Sequence, residues 1–389
     1  MTTPRRDLVC LTLLWWAGAA LRITILAVPP LILLITGELH LSATELGVLS
    51  GLPMAMLAIA ALPGSLLIAR LGSRTALICG LLVVAAGAAL RGLSWNVISL
   101  YATTIIMSAG VAVMQPAMPV LVREWLPSRI GFATAIYSNG LLLGETIVIF
   151  LTGMFLPLLA GNWRLGLAIW SLPVVATAAA VIVFAPPSRS SPPGSEKPPV
   201  WWPDWSDPLI LRLGVLFGSV NALYFATNAF LPPLLNSIGR SDLVQYALTA
   251  LNFGQLPASL LLTVVAQKLE RRAWPYLCVS LVSSACIIGL VFMSGAWIIF
   301  WAGLLGFSIG SSLVLGLTLP PLLVEREQVG PTSAAMFTLS YSIGVAVALL
   351  SGVASDLAGN SVWAFLPIGI CTLTLGASAL MLRAQGKLR

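Results

Sequence analysis

The sequence predicts an all-α integral membrane protein in which twelve transmembrane helices form two six-helix bundles related by a parallel pseudo-repeat. Three observations predict this fold class: the composition, the long apolar stretches, and a set of motifs that recur in the second half. Of the 389 residues, 58% are hydrophobic and only 8% are charged, with a mean hydropathy of +0.98. Soluble domains carry roughly 25% charged residues, so this composition is typical of a protein embedded in a bilayer.

The apolar stretches have the length of about 20 residues that a helix needs to cross a bilayer. Strands of a membrane barrel would be shorter and would alternate in polarity. The predicted spans are 8–36, 44–69, 75–93, 97–122, 131–160, 163–185, 208–236, 243–267, 273–294, 296–323, 332–357 and 361–382.

One long polar connection, residues 186–207, leaves six spans on each side. Its prolines, serines and glycine favour an extended linker without a core of its own. We therefore predict an N-terminal six-helix bundle over 1–185, a cytoplasmic Pro-rich linker over 186–207 and a C-terminal six-helix bundle over 208–389.

Short motifs recur between the two halves at nearly constant shifts of 202 to 204 residues. The pairs are VPPLI (28–32) with LPPLL (231–235), GLP (51–53) with QLP (255–257), PVLVREW (119–125) with PLLVERE (321–327), and YSNG (137–140) with YSIG (341–344). A parallel repeat of six spans is one of the designs found in secondary transporters.

The positions of the basic residues predict the topology. With the N-terminus inside, sixteen of the twenty Lys and Arg residues lie on the cytoplasmic side, and two or three lie outside. This positive-inside bias predicts a multi-pass protein of a bacterial-type inner membrane with both termini cytoplasmic. It also accounts for the net charge of +7, so the expected partner is the lipid bilayer and not a nucleic acid. We expect a monomer.

The sequence predicts neither a cofactor nor a metal site. The five cysteines lie in apolar surroundings without metal-ligand spacing, as expected of small buried hydrophobes. His40 is the single histidine. An enzyme is not expected, because catalysis would need convergent acids, bases or a nucleophile. Energy for transport would come from a gradient, with protons as the candidate coupling ion.

The loop after the second span, GSLLIARLGSR (64–74), resembles the signature of the major facilitator superfamily. Arg70, Gly72 and Arg74 match that signature, and the resemblance implies a role for them in gating. Ala69 occupies the position of the usual aspartate. In the superfamily this acid helps to latch the two bundles shut on the inside, so its absence puts that latch in doubt here.

A narrower resemblance, to the cyanate/nitroimidazole porter family of that superfamily, rests mainly on residues 20–170. The segments that carry it are LR (21–22), VPPL (28–31), ALR (89–91), QPAMPVLVREWLPSR (115–129) and YSNG (137–140). The resemblance implies a secondary transporter whose substrates are cyanate or related small nitrogenous solutes.

Two charges lie deep within the predicted spans, Arg22 in the first and Glu145 in the fifth. Each is 14 residues from the cytoplasmic start of its span, which corresponds to roughly 21 Å at 1.5 Å per residue. Both therefore lie at one level near the midplane, where charges are costly and need partners. Either they form a structural ion pair, or Arg22 binds an anionic substrate. Glu145 then holds Arg22 in position or carries protons.

Two proline pairs occupy corresponding places in the halves, Pro29–Pro30 and Pro232–Pro233. Proline removes a backbone donor one turn ahead of itself, and interrupted helices at matching positions of two repeats indicate a substrate path. We predict a gating role for these prolines, with a packing kink as the alternative.

Other polar side chains lie on helices expected to border a cavity. An amide or hydroxyl within a span either bonds a neighbouring helix or contacts a polar solute. The candidates for substrate contact besides Arg22 are Gln115, Tyr137, Asn139, Asn221, Tyr224, Asn228, Asn252, Gln255 and Tyr341.

The leading hypothesis is a secondary active transporter that moves a small monovalent anion or small polar nitrogenous solute by alternating access. A single fixed cation favours a single negative charge on the substrate. The alternatives are a nitrate/nitrite transporter, an efflux porter for apolar drug-like compounds, and, from a different class, a transporter-fold sensor that does not transport.

Overall fold

The computed structural model describes residues 3–41, 43–155, 158–187 and 200–388. These residues fold into α-helices joined by turns and short 3-10 segments, and they contain no β-strand. The predicted all-α membrane fold is confirmed. Most of the predicted linker, residues 188–199, lies outside the described residues.

The chain divides into two compact units. The first consists of Met1–Pro203 and Val324–Ala334, and the second of Asp204–Leu323 and Ala335–Arg389. The short segment Val324–Ala334 therefore belongs to the first unit, although the chain on either side of it belongs to the second.

The first unit contains eight helices in its described residues before the linker. They are α1 (Thr3–Ile23), α2 (Ile32–Leu39), α3 (Ala43–Leu71), α4 (Ser73–Arg91), α5 (Val97–Trp125), α6 (Ile130–Phe155), α7 (Trp163–Ala168) and α8 (Ser171–Phe184). Helix α1 packs on α6, while α5 packs on both α3 and α4.

The second unit contains the remaining helices. They are α9 (Pro208–Ser237), α10 (Val244–Phe253), α11 (Gln255–Leu269), α12 (Trp274–Phe292), α13 (Trp297–Leu323), α14 (Val329–Ala358), whose first turns belong to the first unit, and α15 (Phe365–Ala384). Helix α9 packs on α15, and α13 packs on α10, α11 and α12.

Eleven helical segments of the described residues are long and apolar enough to cross a membrane. Two of them are each built from two helices, α7 with α8 and α10 with α11. The predicted span 8–36 is not among the eleven. Helix α1 begins before that span, at Thr3, and carries Arg5, Arg6, Asp7 and Arg22 within its 21 residues.

Within the predicted span 8–36, α1 ends at Ile23 and helical structure resumes only at Pro29. Pro29 and Pro30 have no N–H to donate to carbonyls one turn earlier, which explains an interruption ahead of them. The matching pair in the second unit behaves differently, since Pro232 and Pro233 lie inside the uninterrupted α9.

Candidate functional site

The two charges predicted to lie at one depth meet in the first unit. Nε of Arg22 on α1 lies 3.3 Å from Oε1 of Glu145 on α6. Both residues are buried, with 9% and 7% of their surfaces exposed. Because an isolated buried charge is costly and an opposite charge compensates it, each side chain accounts for the burial of the other.

Glycine brings α1 and α6 close enough for this pairing. A Cβ atom on Gly18 would lie 2.1 Å from the carbonyl oxygen of Tyr137, and one on Gly140 would lie 2.1 Å from that of Trp15. A Cβ on Gly144 would approach Ala19 to 2.9 Å. No side chain fits at these distances, so the backbones touch, as small residues allow in membrane helix pairs.

The other candidates of the first unit are also buried. Nε1 of Trp15 donates a hydrogen bond to Oδ1 of Asn139 at 3.0 Å, which favours the packing interpretation for this amide. The hydroxyl of Tyr137 is buried and has no hydrogen-bond partner among the described residues. Gln115 is buried on α5, with 8% of its surface exposed.

Arg91, at the end of α4, is a buried cation within the third predicted span, 75–93. Only 1% of its surface is exposed. Its Nη1 donates to the carbonyl oxygen of Thr24 at 2.8 Å. Thr24 lies in the interruption after α1, where helix geometry no longer supplies a donor, so Arg91 takes over that role.

In the second unit, three predicted residues form one hydrogen-bonded cluster. The hydroxyl of Tyr224 donates to Oδ1 of Asn252 at 2.9 Å, and Nδ2 of Asn252 donates to Oδ1 of Asn228 at 3.0 Å. The Nδ2 group of Asn228 donates to the carbonyl of Tyr224 at 2.8 Å. These side chains are half-buried, and the cluster joins α9 to α10.

The remaining candidates of this unit differ in how far their polar atoms are used. Nδ2 of Asn221 donates to Oγ of Ser340 at 2.6 Å, linking α9 to α14. Nε2 of Gln255 is buried and has no hydrogen-bond partner in the described part of the chain. Tyr341 is buried, and its ring stacks on that of Phe337 at a centroid distance of 6.4 Å.

The signature loop between α3 and α4 turns at Gly72, whose φ of 82° belongs to the left-handed region that glycine adopts readily. Arg70 is exposed at the end of α3. Arg74 donates to the carbonyl oxygen of Ile182 at 2.6 Å. Arg74 therefore caps the C-terminal end of α8, where a cation is favoured.

A carboxylate near this loop comes from α5, although Ala69 replaces the usual acid. Oγ of Ser73 donates to Oε2 of Glu124 at 2.6 Å, and Nη2 of Arg326 lies 3.1 Å from Oε1 of the same carboxylate. Arg123 donates to the carbonyl of Val324. Sequence reasoning missed Glu124; its signal was the RE pair in PVLVREW, which recurs in PLLVERE.

A second charged cluster ties together three segments of the first unit. Glu38 accepts hydrogen bonds from Nη1 of Arg164 at 2.6 Å and from Nε1 of Trp163 at 2.7 Å. Nε of Arg164 donates to the carbonyl of Ser94 at 2.7 Å. The hydrogen bond from Arg164, and then that from Trp163, lower the pKa of the Glu38 carboxyl below its ordinary value, because both stabilise the charged form.

The described residues contain no group of three or more His, Cys, Asp or Glu side chains that could hold a metal ion.

The family model of the Major Facilitator Superfamily matches residues 14–348. The chain belongs to this superfamily. It is therefore a secondary transporter of the multi-pass membrane type, and the predicted superfamily resemblance is confirmed.

Curated relatives of similar length are distant. The chain is 26% identical to the cyanate transport protein CynX of Escherichia coli (strain K12) over 92% of this chain and 94% of that protein. It is 25% identical to the 2-nitroimidazole transporter of the same organism, over 92% and 90%. It is 24% identical to the uncharacterized transporter YycB of Bacillus subtilis (strain 168), over 86% and 82%.

Solved structures share the fold at low sequence identity. The proton:xylose symporter XylE aligns with a TM-score of 0.78 at 12% identity, over 98% of this chain and 96% of that one. The human organic anion transporter MFSD10 aligns with a TM-score of 0.74 at 15% identity, over 96% and 99%.

Proposed function

We propose that the protein transports a small monovalent anion or small polar nitrogenous solute of the cyanate kind, with Arg22 as the cation that binds it. The observation that carries the proposal is the buried pair of Arg22 and Glu145, 3.3 Å apart on two helices in direct backbone contact. The similarity to a cyanate transport protein and a 2-nitroimidazole transporter supports the solute class.

Charge balance supports a link between the anion and a proton. With Glu145 ionised, the pair is neutral overall. If Glu145 takes up a proton, Arg22 keeps its charge, since a guanidinium stays protonated, and a monovalent anion restores neutrality. A divalent anion would leave an uncompensated buried charge, which is costly. The site thus favours movement of one anion together with one proton.

The polar cluster of Tyr224, Asn228 and Asn252 supports the same solute class in the second unit. Amide and hydroxyl groups donate to an anion without adding a charge, and they equally suit the ring nitrogens and nitro oxygens of a nitroimidazole. We propose these three side chains, together with Gln255, as polar contacts for the solute. Arg70 and the proline pairs keep their proposed gating role.

The membrane location and the topology of the protein are also part of the proposal. We propose a bacterial-type inner membrane, with both termini in the cytoplasm, on the strength of the positive-inside bias. The bundles over 1–185 and 208–389 are proposed as the two repeats that alternate access.

The function is tested with purified protein in a thermal-shift screen of cyanate, nitrite, nitrate, bicarbonate and 2-nitroimidazole. A ligand at 100 times its dissociation constant stabilises the folded state by about 2.7 kcal/mol. We expect cyanate to raise the melting temperature of the wild type and of the control Arg129→Gln, which removes an exposed arginine of the first unit. Arg22→Gln should show no shift.

Uptake into proteoliposomes then separates binding from coupling. Wild-type uptake of labelled cyanate should rise with an inward proton gradient, whereas Glu145→Gln should bind the anion and lose the response to the gradient. A shift by nitrate or nitrite alone would favour the nitrate/nitrite alternative. Stabilisation of Arg22→Gln by apolar compounds would favour efflux of such compounds. Binding without any uptake would favour a sensor.

A further inference from the structure

We propose a binding site for an anionic phospholipid headgroup in the second unit, at the junction of α11, α12 and α15. An open cavity of about 850 Å³ lies there, and its lining includes Lys268, Arg271, Arg272 and Arg383. One acid, Glu270, also lines it. The ligand class is a phosphate diester with a single negative charge, or two of them in one lipid.

The four cations are available to a ligand. All four are exposed, and in the described part of the chain none of them lies within ion-pair distance of a carboxylate. Against four positive charges the cavity holds the single acid Glu270. Like charges this close repel one another, and an anion in the cavity relieves that repulsion.

Compensation of helix dipoles accounts for only two of the four cations. Lys268 and Arg383 lie in the last turns of α11 and α15, where a cation compensates the helix dipole. Arg271 and Arg272 instead directly precede α12, whose N-terminal end favours negative charge. This helix has no acidic residue in its first turn and no side-chain cap on Ala273. Two arginines at that place favour a bound anion.

The backbone conformation of the loop between α11 and α12 also supports a ligand site. Arg271 has a φ of 58°, in the left-handed region that residues with a Cβ rarely adopt. Strained backbone of this kind persists where the surroundings require it, often at ligand sites. Glycine would hold this conformation at lower cost, so the arginine is kept at the expense of some stability.

A lipid suits this cavity better than a soluble phosphate. Trp274 lines the cavity and is half exposed, and tryptophan is enriched at the headgroup level of membranes. On α11, Val264 lies one turn before Lys268 and is 77% exposed. On α12, Leu281 lies two turns after Trp274 and is 72% exposed. Acyl chains can lie along these apolar faces while the headgroup occupies the basic cavity, as in other basic sites between membrane helices.

The test is native mass spectrometry of the full chain in detergent, titrated with dioleoyl-phosphatidylglycerol. Parallel titrations use dioleoyl-phosphatidylcholine, which has no net charge, and glycerol 1-phosphate, which has no acyl chains. The site variant is Arg271→Gln/Arg272→Gln. The control is Arg5→Gln/Arg129→Gln, which removes the same charge from two exposed positions of the first unit.

We expect the site variant to bind the first phosphatidylglycerol roughly 10- to 30-fold more weakly, because each Lys or Arg near an anionic headgroup adds about 5-fold in affinity. The control should stay within about 2-fold of the wild type, and phosphatidylcholine should bind all three proteins alike. Lys268→Gln/Arg383→Gln should lose a similar factor in affinity for phosphatidylglycerol, although these two residues lie on α11 and α15 and not in the loop before α12. A loss in both variants therefore separates an effect of the site from misfolding of that loop.

A loss in the control Arg5→Gln/Arg129→Gln equal to that in Arg271→Gln/Arg272→Gln would overturn the proposal in favour of general surface charge. Binding of glycerol 1-phosphate as tight as that of the lipid would overturn it in favour of a soluble phosphate ester. Neither outcome bears on Arg22 and Glu145, whose test uses other residues and another ligand.

Discussion

The side chains of Arg22 and Glu145 form an ion pair inside the first unit, with Nε and Oε1 3.3 Å apart. The two helices that carry them touch through glycine at three positions, so the pair is held by backbone packing and not by flexible side chains alone. A neutral pair in a buried place can accept an anion only if its charge is rebalanced. This requirement makes the pair the centre of the proposed transport chemistry.

The first prediction concerns what the pair contributes to stability. Arg22→Met or Glu145→Leu alone leaves a buried uncompensated charge, which costs about 3–5 kcal/mol. The double substitution removes both charges and should recover most of that loss. Thermal unfolding of the wild type, the two single variants and the double variant in one detergent measures the coupling free energy between Arg22 and Glu145.

The double variant Arg22→Met/Glu145→Leu should fold and yet fail to bind cyanate. If it still binds the anion with wild-type affinity, the pair is structural only and another group binds the solute.

The second prediction tests whether glycine positions the pair. Gly140→Ala introduces a methyl group 2.1 Å from the carbonyl oxygen of Trp15, so α1 and α6 must separate. Overpacking of this kind costs about 1–3 kcal/mol, and it should also weaken anion binding by moving Arg22 relative to Glu145. Melting temperature and cyanate affinity measure the two effects.

Gly51→Ala is the matched control, because a Cβ there meets nothing within 4 Å. It should leave binding unchanged and slightly stabilise α3, since alanine favours a helix over glycine by about 1 kcal/mol. Equal behaviour of the two variants would show that the close approach does not matter for the pair.

The features that could be predicted from the sequence are those that depend on local patterns of residues. Apolar stretches gave most of the helices, and equal depth along two spans predicted that Arg22 and Glu145 would come close. The interruption between Ile23 and Pro29 was only partly predictable, because the same proline pair leaves α9 continuous. Local chemistry alone does not distinguish these cases.

The partners of other charged groups depend on tertiary contacts that no spacing reveals. Arg91 reaches the carbonyl of Thr24, 67 residues earlier in the chain. Glu124 contacts Arg326, 202 residues later. Such separations carry no periodic signal, so these residues could be recognised as charged but not assigned a contact.

The third prediction uses the lowered pKa of Glu38. A carboxyl whose pKa is lower in the folded state than in the unfolded state stabilises the fold above the unfolded value. That stabilisation is lost as the pH falls through the folded value. We therefore expect Glu38→Gln to melt below the wild type at pH 7, with the difference shrinking as the pH is lowered below the ordinary 4.5 of this group.

Melting temperatures between pH 3 and pH 7 check this, with Asp356→Asn as a variant that removes an exposed acid elsewhere. A difference between Glu38→Gln and the wild type that stays constant over the whole range would mean that the Arg164 and Trp163 contacts do not depend on the charge of Glu38.

The fourth prediction concerns Glu124, which binds Ser73 and Arg326 at once. The segment Val324–Ala334 belongs to the first unit while its neighbours in sequence do not, so this ion pair ties a connecting segment to α5. A partly exposed pair contributes about 0.2–1 kcal/mol, which corresponds to a change in local opening of roughly 1.4- to 5-fold. Glu124→Gln should therefore speed hydrogen exchange in peptides that cover 324–334 by that factor.

The exchange experiment has a built-in rescue. Glu124→Arg combined with Arg326→Glu restores opposite charges at the same two positions, and it should return the exchange of 324–334 toward the wild-type rate. Glu124→Arg alone places two cations together and should exchange fastest. Peptides from α15 should not change in any variant. If the reversed pair exchanges as fast as Glu124→Arg alone, the segment is held by the Arg123 contact to Val324 and by apolar packing, and the carboxylate of Glu124 acts through Ser73 instead.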